Sequence, residues 1–457
     1  MDIIDLLNKR KVELFKNSAD IRKNLSQIID DDSFVELNAF SFGKNEFYNQ
    51  DETGLGVVTG FATIDGYPVY VVAQNGNVLS GGLSKANLDK ICACLNKALE
   101  NETAVLYLLD TKGVQVGEGI AVLEGVAKVL ALSNALKSVA PQFAVALNDV
   151  YGSFALLASN CDYVYSVNNA CISYASPAVA MASVKGEISK DALGGKDSKN
   201  GVNTFVLNSV SEVRDSVIKV FNVLPQISGL NANCNDELNR SELSLNTTKN
   251  AELLINAIYD KDTFIELNSK FCESVKTGIG RIGGISTAVI LFDGGENGVE
   301  LDLNIVLKIS NFANYCYDNG FPLLTLVNTV GIKQDAETAT SPILTEISNM
   351  LYNLSSLKSI SVVYGKAIGF GYTAFASRQF GNSYTFAFAD AKISLFDKTV
   401  GAYTNFTSVE ESKREEFEKT YENMQDAFNS AKLGCVDNII EPQFVRQHII
   451  MALQSII

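Results

Sequence analysis

The 457-residue chain has one histidine, and its eight cysteines include no Cys-x-x-Cys pair. A single histidine argues against a histidine-based catalytic triad and against a metal site built from several histidines. We interpret His448, in the apolar stretch VRQHIIMAL, as structural. The cysteines are scattered, several of them in apolar helix or strand patterns, so we expect free thiols rather than disulfides or zinc ligands. We therefore predict a cytoplasmic protein without a metal.

The chain is also short of positive charge and of long apolar runs. Its 37 lysines and arginines against 52 acidic residues give a net charge of −15, which argues against nucleic acid or an anionic membrane as the main partner. No apolar run is long enough to span a bilayer, and the stretch Met1–Leu25 is typical of a charged amphipathic helix rather than a signal peptide. A phosphate-bearing ligand would need local basic residues. Five lysines are candidates, although each is more often a solvated surface residue: Lys85, Lys90, Lys112, Lys196 and Lys199.

The chain repeats itself. The stretch Leu83–Gly113 aligns without a gap on Leu301–Gly331. DSFVELNAF matches DTFIELNSKF upstream, and VYGSF, which begins at Val150, matches AIGFG, which begins at Ala367, at nearly the same separation downstream. Three matches in the same order indicate the duplication of a whole domain. We predict domains at residues 1–227 and 251–457, joined by a polar linker rich in Asn and Ser at 228–250.

Strands alternate with helices in each copy, which predicts an α/β domain with a mostly parallel sheet covered by helices. FATIDGYPVYVVAQNG is typical of a hairpin, and KANLDKICACLNKAL has the spacing of an amphipathic helix. The apolar run AVLYLL is typical of a buried strand and leads into the glycine-rich DTKGVQVGEG and a further helix. Junctions of this kind expose backbone N–H groups that bind phosphates or oxyanions. Ligands bind beyond the carboxyl ends of strands in such sheets, where both glycine loops of each copy fall.

Four stretches carry a resemblance to a known family: IIDDDSFVEL, GYPVYVVAQNGNVLSGGLS, LDLNIVLKISNFANYC with FPLL after it, and GCVDNIIEP near the end. The last is similar to the closing Gly-x-Val-Asp-x-Ile-Ile-x-Pro of the biotin-dependent acyl-CoA carboxyltransferases. That family includes the β-subunits of acyl-CoA carboxylases and the α-subunits of sodium-pumping methylmalonyl-CoA and glutaconyl-CoA decarboxylases. The chain resembles it over nearly its whole length. The resemblance implies two tandem crotonase-like (ClpP/crotonase) α/β domains related by internal duplication.

The resemblance also implies an activity, the transfer of a carboxyl group between biotin and the α-carbon of a short-chain acyl-CoA. The reaction passes through a thioester enolate and a biotin ureido anion, so it needs two oxyanion holes and neither histidine nor cysteine. In the family, the N-terminal copy holds acyl-CoA and the C-terminal copy, usually of a second subunit, holds biotin. Partners would have to supply biotin: a biotin carboxyl carrier protein, with biotin carboxylase or membrane decarboxylase subunits beside it. A homodimer or homohexamer is implied as well.

The implied site residues, carried over by position, fall into three groups. The catalytic oxyanion holes are Gly152 with Ser153 for the thioester, and Phe370 with Gly371 for biotin. The residues implied to bind acyl-CoA are Gly81, Gly82, Lys112, Gly113, Gln115 and Thr373. The residues implied to bind biotin are Gly331, Ile332 and Gly369.

The loops depart from the family pattern. Where the family has Asp-Ser-Gly-Gly-Ala-Arg-x-x-Glu-Gly, this chain has DTKGVQVGEG, with Lys112 in place of a glycine and Gln115 in place of the arginine. Lys112 would either contact a CoA phosphate or block the thioester. Phe370 stands where a glycine would permit a positive φ or a close approach of biotin. We interpret Glu118 as a cap of the helix that follows it.

Two functions stay open on the sequence. One is an active carboxyltransferase or decarboxylase subunit, favoured by the whole-chain resemblance. The other is a non-catalytic paralogue that acts as a structural partner in a biotin-enzyme or decarboxylase complex. The second is favoured because the substitutions concentrate in the ligand loops, and a fold does not carry a function when its site has changed.

Overall fold

The computed structural model describes residues 2–41, 56–137, 139–195, 200–247, 250–405 and 413–457. The chain divides into a first unit, Met1–Phe221, and a second unit, Asn222–Ile457. The polar stretch from residue 228 onwards lies in the second unit, and the predicted domain and linker bounds stay a prediction. Lys196 and Lys199, two of the candidate phosphate-binding lysines, lie outside the described residues.

The first unit is built on one mixed sheet with helices around it. Its strands, as the described residues show them, are β1 (Val35–Leu37), β2 (Val57–Ile64), β3 (Tyr67–Gln74), β4 (Ala104–Thr111), β5 (Gln142–Tyr151), β6 (Tyr163–Val167), β7 (Ile172–Ser173) and β8 (Phe205–Leu207). Its helices are α1 (Ile3–Asn17), α2 (Ala19–Ser26), α3 (Lys85–Glu100), α4 (Ala121–Leu136), α5 (Ser153–Asn160), α6 (Pro177–Val184), α7 (Lys190–Gly194) and α8 (Ser211–Val223). The strand order is β1-β2-β3-β4-β5-β6-β8, with β7 paired to β5.

The order of this sheet follows from local chain chemistry. β2 and β3 form the predicted antiparallel hairpin, and its two turn residues, Asp65 and Gly66, take φ values of 51° and 79°. Asp-Gly turns with two positive φ values match the twist of the strands that they join. From β3 onwards the strands pair in parallel through β4, β5, β6 and β8, because helices make the crossovers. The predicted amphipathic helix is α3, which buries Ile91, Cys94 and Leu95.

The second unit repeats this architecture. Its strands are β9 (Ile265–Leu267), β10 (Val275–Ile282), β11 (Ile285–Phe292), β12 (Val299–Leu301), β13 (Leu323–Ile332), β14 (Ser359–Ile368), β15 (Asn382–Phe388), β16 (Lys392–Ser394) and β17 (Asn438–Ile440). Its helices are α9 (Pro225–Ser228), α10 (Ala251–Ile258), α11 (Leu303–Asp318), α12 (Ala336–Thr340), α13 (Ile343–Ser355), α14 (Phe370–Phe375), α15 (Lys398–Asn405), α16 (Arg414–Met424), α17 (Ala427–Lys432) and α18 (Val445–Ile456). The strand order is β17-β15-β14-β13-β11-β10-β9, with β12 paired to β13 and β16 to β14.

The element bounds of the two units keep the separation that the sequence predicts. β2 and β10 begin as far apart in the chain as Leu83 and Leu301, and so do α3 and α11. β5 and β14 begin as far apart as Val150 and Ala367. The duplication is therefore present in the fold as well as in the sequence, and the predicted class of two tandem α/β domains is confirmed.

A buried lysine occupies the same place in both units. Lys90 is only 3% exposed, and its Nζ donates to the Val57 carbonyl at 2.5 Å. Lys308, its counterpart in the second unit, donates to the Val275 carbonyl at 2.7 Å. Burial lowers the pKa of each ammonium group to about 8. Lys90 is therefore neither a phosphate ligand nor a solvated surface lysine, because its ammonium group is buried inside the fold.

The cysteines and the single histidine are part of the packing of the fold. All eight cysteines are free, and five of them are buried. His448 contacts the Phe444 carbonyl at 3.0 Å through Nδ1 and packs edge-on against Phe386. Among the described residues, no cluster of His, Cys, Asp and Glu has the make-up of a metal site. Within the same residues, no helix has both the length and the apolar character that crossing a membrane requires.

Candidate active site

The first glycine loop of the first unit follows β4 directly. Gly113 has a φ of 118°, its N–H donates to the Thr111 hydroxyl at 3.1 Å, and its carbonyl accepts from the Leu83 N–H at 2.9 Å. Val114 then pairs with Leu83, so the loop is fastened to the chain segment that precedes α3. These bonds hold the loop in one path, although a Cβ at Gly113 itself would meet open space.

Two further glycines line the back of this loop. A Cβ on Gly81 would lie 1.9 Å from the Asp110 carbonyl oxygen, and a Cβ on Gly82 would lie 2.0 Å from Nε2 of Gln115. Gly81 therefore requires glycine, because backbone blocks a side chain there, whereas a side chain at position 82 would have to displace that of Gln115. The Gln115 side chain packs on this backbone, so Gly81, Gly82 and Gln115 build the wall of the loop. Their predicted contact with acyl-CoA stays a prediction.

The second glycine loop joins β5 to α5. Gly152 has a φ of 73°, and its N–H donates to the carbonyls of Ser173 and Tyr174 at 3.2 and 3.1 Å. The next two N–H groups, those of Ser153 and Phe154, have no acceptor within the described part of the chain. The free donors of this loop are thus Ser153 and Phe154, one residue further along than the predicted pair of Gly152 and Ser153. Gly152 supplies the turn that aims them.

The two loops of the first unit adjoin each other. A Cβ on Gly152 would lie 3.8 Å from the Gly113 Cα, which places the end of β4 against the start of α5. Two backbone N–H groups in one direction beside a glycine-lined surface form the arrangement that stabilises a developing oxyanion. Ser153 and Phe154 are at the first turn of α5, where the N–H groups of a helix have no partner inside the helix.

The second unit has the same pair of loops. Gly369 has a φ of 53°, and its N–H donates to the Ser394 carbonyl at 2.8 Å, as the N–H of Gly152 is engaged in the first unit. The N–H groups of Phe370 and Gly371 have no acceptor among the residues described. A Cβ on Gly331 would lie 3.7 Å from both of these nitrogens, so the loops after β13 and β14 meet. The Gly331 N–H donates to the Thr329 hydroxyl at 3.1 Å, which repeats the bond of Gly113 to Thr111.

The substitution at Phe370 is less disruptive than the sequence suggests. The positive φ of this loop belongs to Gly369, while Phe370 is the first helical residue of α14. The position that cannot accept a side chain is Gly371, where a Cβ would lie 2.6 Å from Cγ2 of Thr329. The backbone therefore follows its path with phenylalanine at 370, and only the half-buried ring is new.

Two other predicted residues lie near these loops. Ile332 is the last residue of β13 and pairs with Leu301. Thr373 lies one turn into α14, and its hydroxyl donates to the Gly369 carbonyl at 3.3 Å. Contact of Ile332 with biotin, and of Thr373 with acyl-CoA, stays a prediction.

Lys112 forms an ion pair with Asp149, a carboxylate that the sequence did not point to. Oδ2 of Asp149 lies 3.3 Å from the Lys112 ammonium group, and Oδ1 lies 2.6 Å from that of Lys190. The Tyr151 hydroxyl and the Cys171 N–H also donate to this carboxylate, each at 3.1 Å. Burial alone would raise the pKa of Asp149, but the hydrogen bonds from Lys190 and Cys171 and the charge of Lys112 hold it below its ordinary value. Asp149 is therefore ionised and forms ion pairs with Lys112 and Lys190.

Glu118 caps a different helix from the predicted one. Its Oε2 accepts the N–H of Lys85 at 2.6 Å, at the first turn of α3 rather than of α4. Lys85 itself forms an ion pair with Asp89 at 2.6 Å. The 3₁₀ turn Val116–Glu118 carries the carboxylate back across the loop to α3. Glu118 therefore fastens the glycine loop to its neighbour, and its carboxylate is engaged in this bond.

Known proteins of similar sequence point to one family. The carboxyl transferase domain family matches residues 15–457. A putative propionyl-CoA carboxylase beta chain of Bacillus subtilis is 26% identical, over 96% of this chain and 91% of its own length. The methylmalonyl-CoA carboxyltransferase 12S subunit of Propionibacterium freudenreichii is 26% identical, over 95% of this chain and 87% of its own. The methylmalonyl-CoA decarboxylase subunit alpha of Veillonella parvula is 26% identical, over 94% and 89%.

The fold is also that of a solved carboxyltransferase. The crystal structure of transcarboxylase 12S, a hexamer with methylmalonyl-coenzyme A and methylmalonic acid bound, superposes with a TM-score of 0.91. The superposition covers 99% of this chain and 94% of the transcarboxylase chain. The two sequences are 24% identical, so the likeness concerns the fold. The chain belongs to the carboxyl transferase domain family. The resemblance deduced from the sequence motifs is confirmed.

Proposed function

We propose that the chain is a carboxyltransferase subunit that moves a carboxyl group between biotin, held on a separate carrier protein, and a short-chain acyl-CoA. One observation carries the proposal. Each unit presents two successive backbone N–H groups behind a glycine of positive φ, namely Ser153 with Phe154 and Phe370 with Gly371, and none of the four has an acceptor in the described part of the chain. A reaction with two oxyanions needs two such sites.

The first unit would act on the thioester. When the bond between the α-carbon and the carboxyl group breaks, its electron pair would stay on the acyl-CoA as an enolate. The biotin nitrogen would accept the carboxyl group, and the proton that this nitrogen gives up would go to the α-carbon. The N–H groups of Ser153 and Phe154 would donate to the enolate oxygen, where negative charge develops. Because Gly152 and Gly113 fix the backbone beforehand, no reorganisation is required at the moment of reaction. The reverse direction uses the same contacts.

The second unit has residues that fit biotin. Phe370 and Gly371 would donate to its ureido oxygen, and Gly331 keeps the neighbouring surface free of side-chain atoms. Biotin, when bound, supplies the ureido nitrogen that carries the transferred carboxyl group. The residues of this unit hold the ring and stabilise charge on its oxygen.

The partners follow from the same proposal. The relatives named above are subunits of carboxylases, a transcarboxylase and a decarboxylase, and the superposed transcarboxylase 12S is a hexamer. We therefore expect a biotin carboxyl carrier protein as partner, together with self-association of this chain. A biotin carboxylase or the membrane subunits of a decarboxylase would complete the complex.

The experiment that tests the proposal is carboxyl transfer with free biotin in place of the carrier. The purified chain is incubated with malonyl-CoA or methylmalonyl-CoA, with and without biotin, and acetyl-CoA or propionyl-CoA is measured by chromatography. The proposal predicts product that depends on biotin and that disappears when avidin captures it. Thioester binding without any biotin-dependent product would favour the non-catalytic partner instead.

A further inference from the structure

The carboxylate of Asp149 forms ion pairs with two lysines, so this carboxylate alone does not balance their charge. Asp149 is one anion between two ammonium groups, those of Lys112 and Lys190, in a chain whose net charge is −15. Lys190 takes the closer position, at 2.6 Å from Oδ1, whereas Lys112 lies 3.3 Å from Oδ2. Oδ2 also accepts from Tyr151 and Oδ1 from the Cys171 N–H, so the carboxylate is satisfied without Lys112. The positive charge of Lys112 is the one that Asp149 does not balance.

Lys112 is in the loop that adjoins the turn before α5. Its own N–H donates to the Ser80 carbonyl at 3.2 Å, which fixes its backbone, and the next residue, Gly113, adjoins Gly152. Its ammonium group lies 5.4 Å from the ring centre of Tyr151, the residue immediately before Gly152. The side chain is 52% exposed, so its remaining donors face solvent. The loop that carries Lys112 is thus next to the turn that precedes Ser153 and Phe154.

The nearest carboxylate in sequence does not neutralise this charge. Asp110 accepts from the Asn148 amide at 2.9 Å, and its carboxylate packs against Gly76, where a Cβ would lie 2.0 Å from Oδ2. An ammonium group has three donors, and the hydrogen bond from Lys112 to Asp149 uses one of them. An anionic group of the substrate would complete its shell.

We propose that Lys112 binds the free carboxylate of the acyl group, and so selects carboxylated thioesters of the malonyl-CoA class over plain acyl-CoA. The inference rests on the proposed function, since it assumes that the thioester oxygen binds to Ser153 and Phe154. The carboxyl group of a malonyl thioester is two bonds from the thioester carbon. With the thioester oxygen on Ser153 and Phe154, it would therefore lie near the adjoining loop that carries Lys112. Lys112 is then the specificity-determining residue of the first unit. Once the thioester has lost its carboxyl group, the acyl-CoA product binds less tightly.

The test is calorimetric binding of malonyl-CoA, acetyl-CoA and free CoA to the full chain and to Lys112→Met. Lys276→Met is the matched control, because Lys276 also pairs with a carboxylate, that of Glu266 at 3.5 Å, but lies in the second unit. The wild-type chain is expected to bind malonyl-CoA about tenfold more tightly than acetyl-CoA, a typical gain from one charged hydrogen bond. Lys112→Met is expected to abolish that preference by weakening the binding of malonyl-CoA more than that of acetyl-CoA, while Lys276→Met keeps the preference.

Each other outcome has one meaning. If Lys112→Met weakens all three ligands equally, Lys112 contacts the CoA phosphates, and the inference is overturned while the proposed function stands. If the wild-type chain shows no preference for malonyl-CoA, the inference is overturned in the same way. If no thioester binds to the wild-type chain, the proposed function fails, and the inference fails with it. Because the pair is exposed, a true preference should also decrease as salt is raised.

Discussion

An arginine–aspartate clamp occurs in both units at different depths, which allows a stability prediction with an internal control. In the second unit, Arg446 donates to Asp260 at 2.6 Å and to the Ile258 carbonyl, and the two side chains are 1% and 7% exposed. In the first unit, Arg214 donates to Asp30 at 2.7 Å and to the Ile28 carbonyl, with exposures of 29% and 24%. The two clamps share these two bonds. They differ in burial, and Arg446 also donates to the Glu237 carbonyl at 3.3 Å and lies 3.9 Å from a carboxylate oxygen of Asp236.

Replacement of each arginine by methionine should therefore have unequal costs. Arg446→Met leaves the buried Asp260 carboxylate with the N–H groups of Gly283 and Gly284 but without its counter-charge, which costs about 3–5 kcal/mol. Arg214→Met breaks a pair that water screens, which costs about 1 kcal/mol or less. Because stability is a balance of about 5–15 kcal/mol in a typical domain, only the first change should threaten folding.

The assay is urea unfolding followed by far-ultraviolet circular dichroism, since the chain has no tryptophan. With a slope of about 3 kcal/mol per molar urea, Arg446→Met should lower the midpoint of unfolding by roughly 1–1.7 M, and Arg214→Met by roughly 0.3 M or less. Equal shifts, or a larger shift for Arg214→Met, would refute the reasoning that burial of the pair sets its worth.

Two further predictions concern the duplicated lysine and the second glycine loop. Burial lowers the pKa of Lys308 to about 8 in the folded chain, whereas a free lysine has a pKa of about 10.5. Between about pH 8 and 10.5 the unfolded chain therefore binds one proton more at this lysine than the folded chain does. The free energy of unfolding, relative to that of Lys308→Met, should rise there by about 1.4 kcal/mol per pH unit. Unfolding in urea at pH 8 and pH 10 checks this, and a constant difference contradicts it. Gly371→Ala should cost about 1–3 kcal/mol and impair transfer, because its Cβ meets Cγ2 of Thr329. Thr329→Ser removes that methyl group, so the double variant should regain part of the stability and part of the transfer rate. Thermal melts and transfer assays check this, and a double variant no better than Gly371→Ala contradicts it.

The fold was predictable because its signals are local and occur twice. The Asp65-Gly66 turn and the buried face of α3 follow from residues that are near one another in the chain. The constant separation of the two copies then carries each assignment from one copy to the other. Lys90 shows the limit, because a lysine in an amphipathic pattern resembles any solvated lysine until the fold brings the Val57 carbonyl to it.

The site was only partly predictable, because its decisive contacts join distant segments. The sequence located Gly152 and Gly369, but not that their N–H groups are engaged by the segments after Cys171 and Ile393. It identified Lys112 as a departure, but not Asp149, which lies 37 residues further along. The sequence did allow one inference. A lysine that replaces a glycine in a ligand loop is expected to pair with a nearby carboxylate, and Asp149 is three residues before Gly152 in NDVYG.

If backbone N–H groups stabilise the oxyanions of the reaction, a pair of variants at Ser153 should separate the N–H from the side chain. Ser153→Pro removes the N–H at the first residue of α5, where proline is tolerated, and Ser153→Ala keeps it. Ser153→Pro should lose about two to three orders of magnitude in the rate of biotin-dependent transfer, while Ser153→Ala should stay near the wild-type rate. Equal rates for the two variants, with both folded by circular dichroism, would mean that the Ser153 N–H does not stabilise the oxyanion.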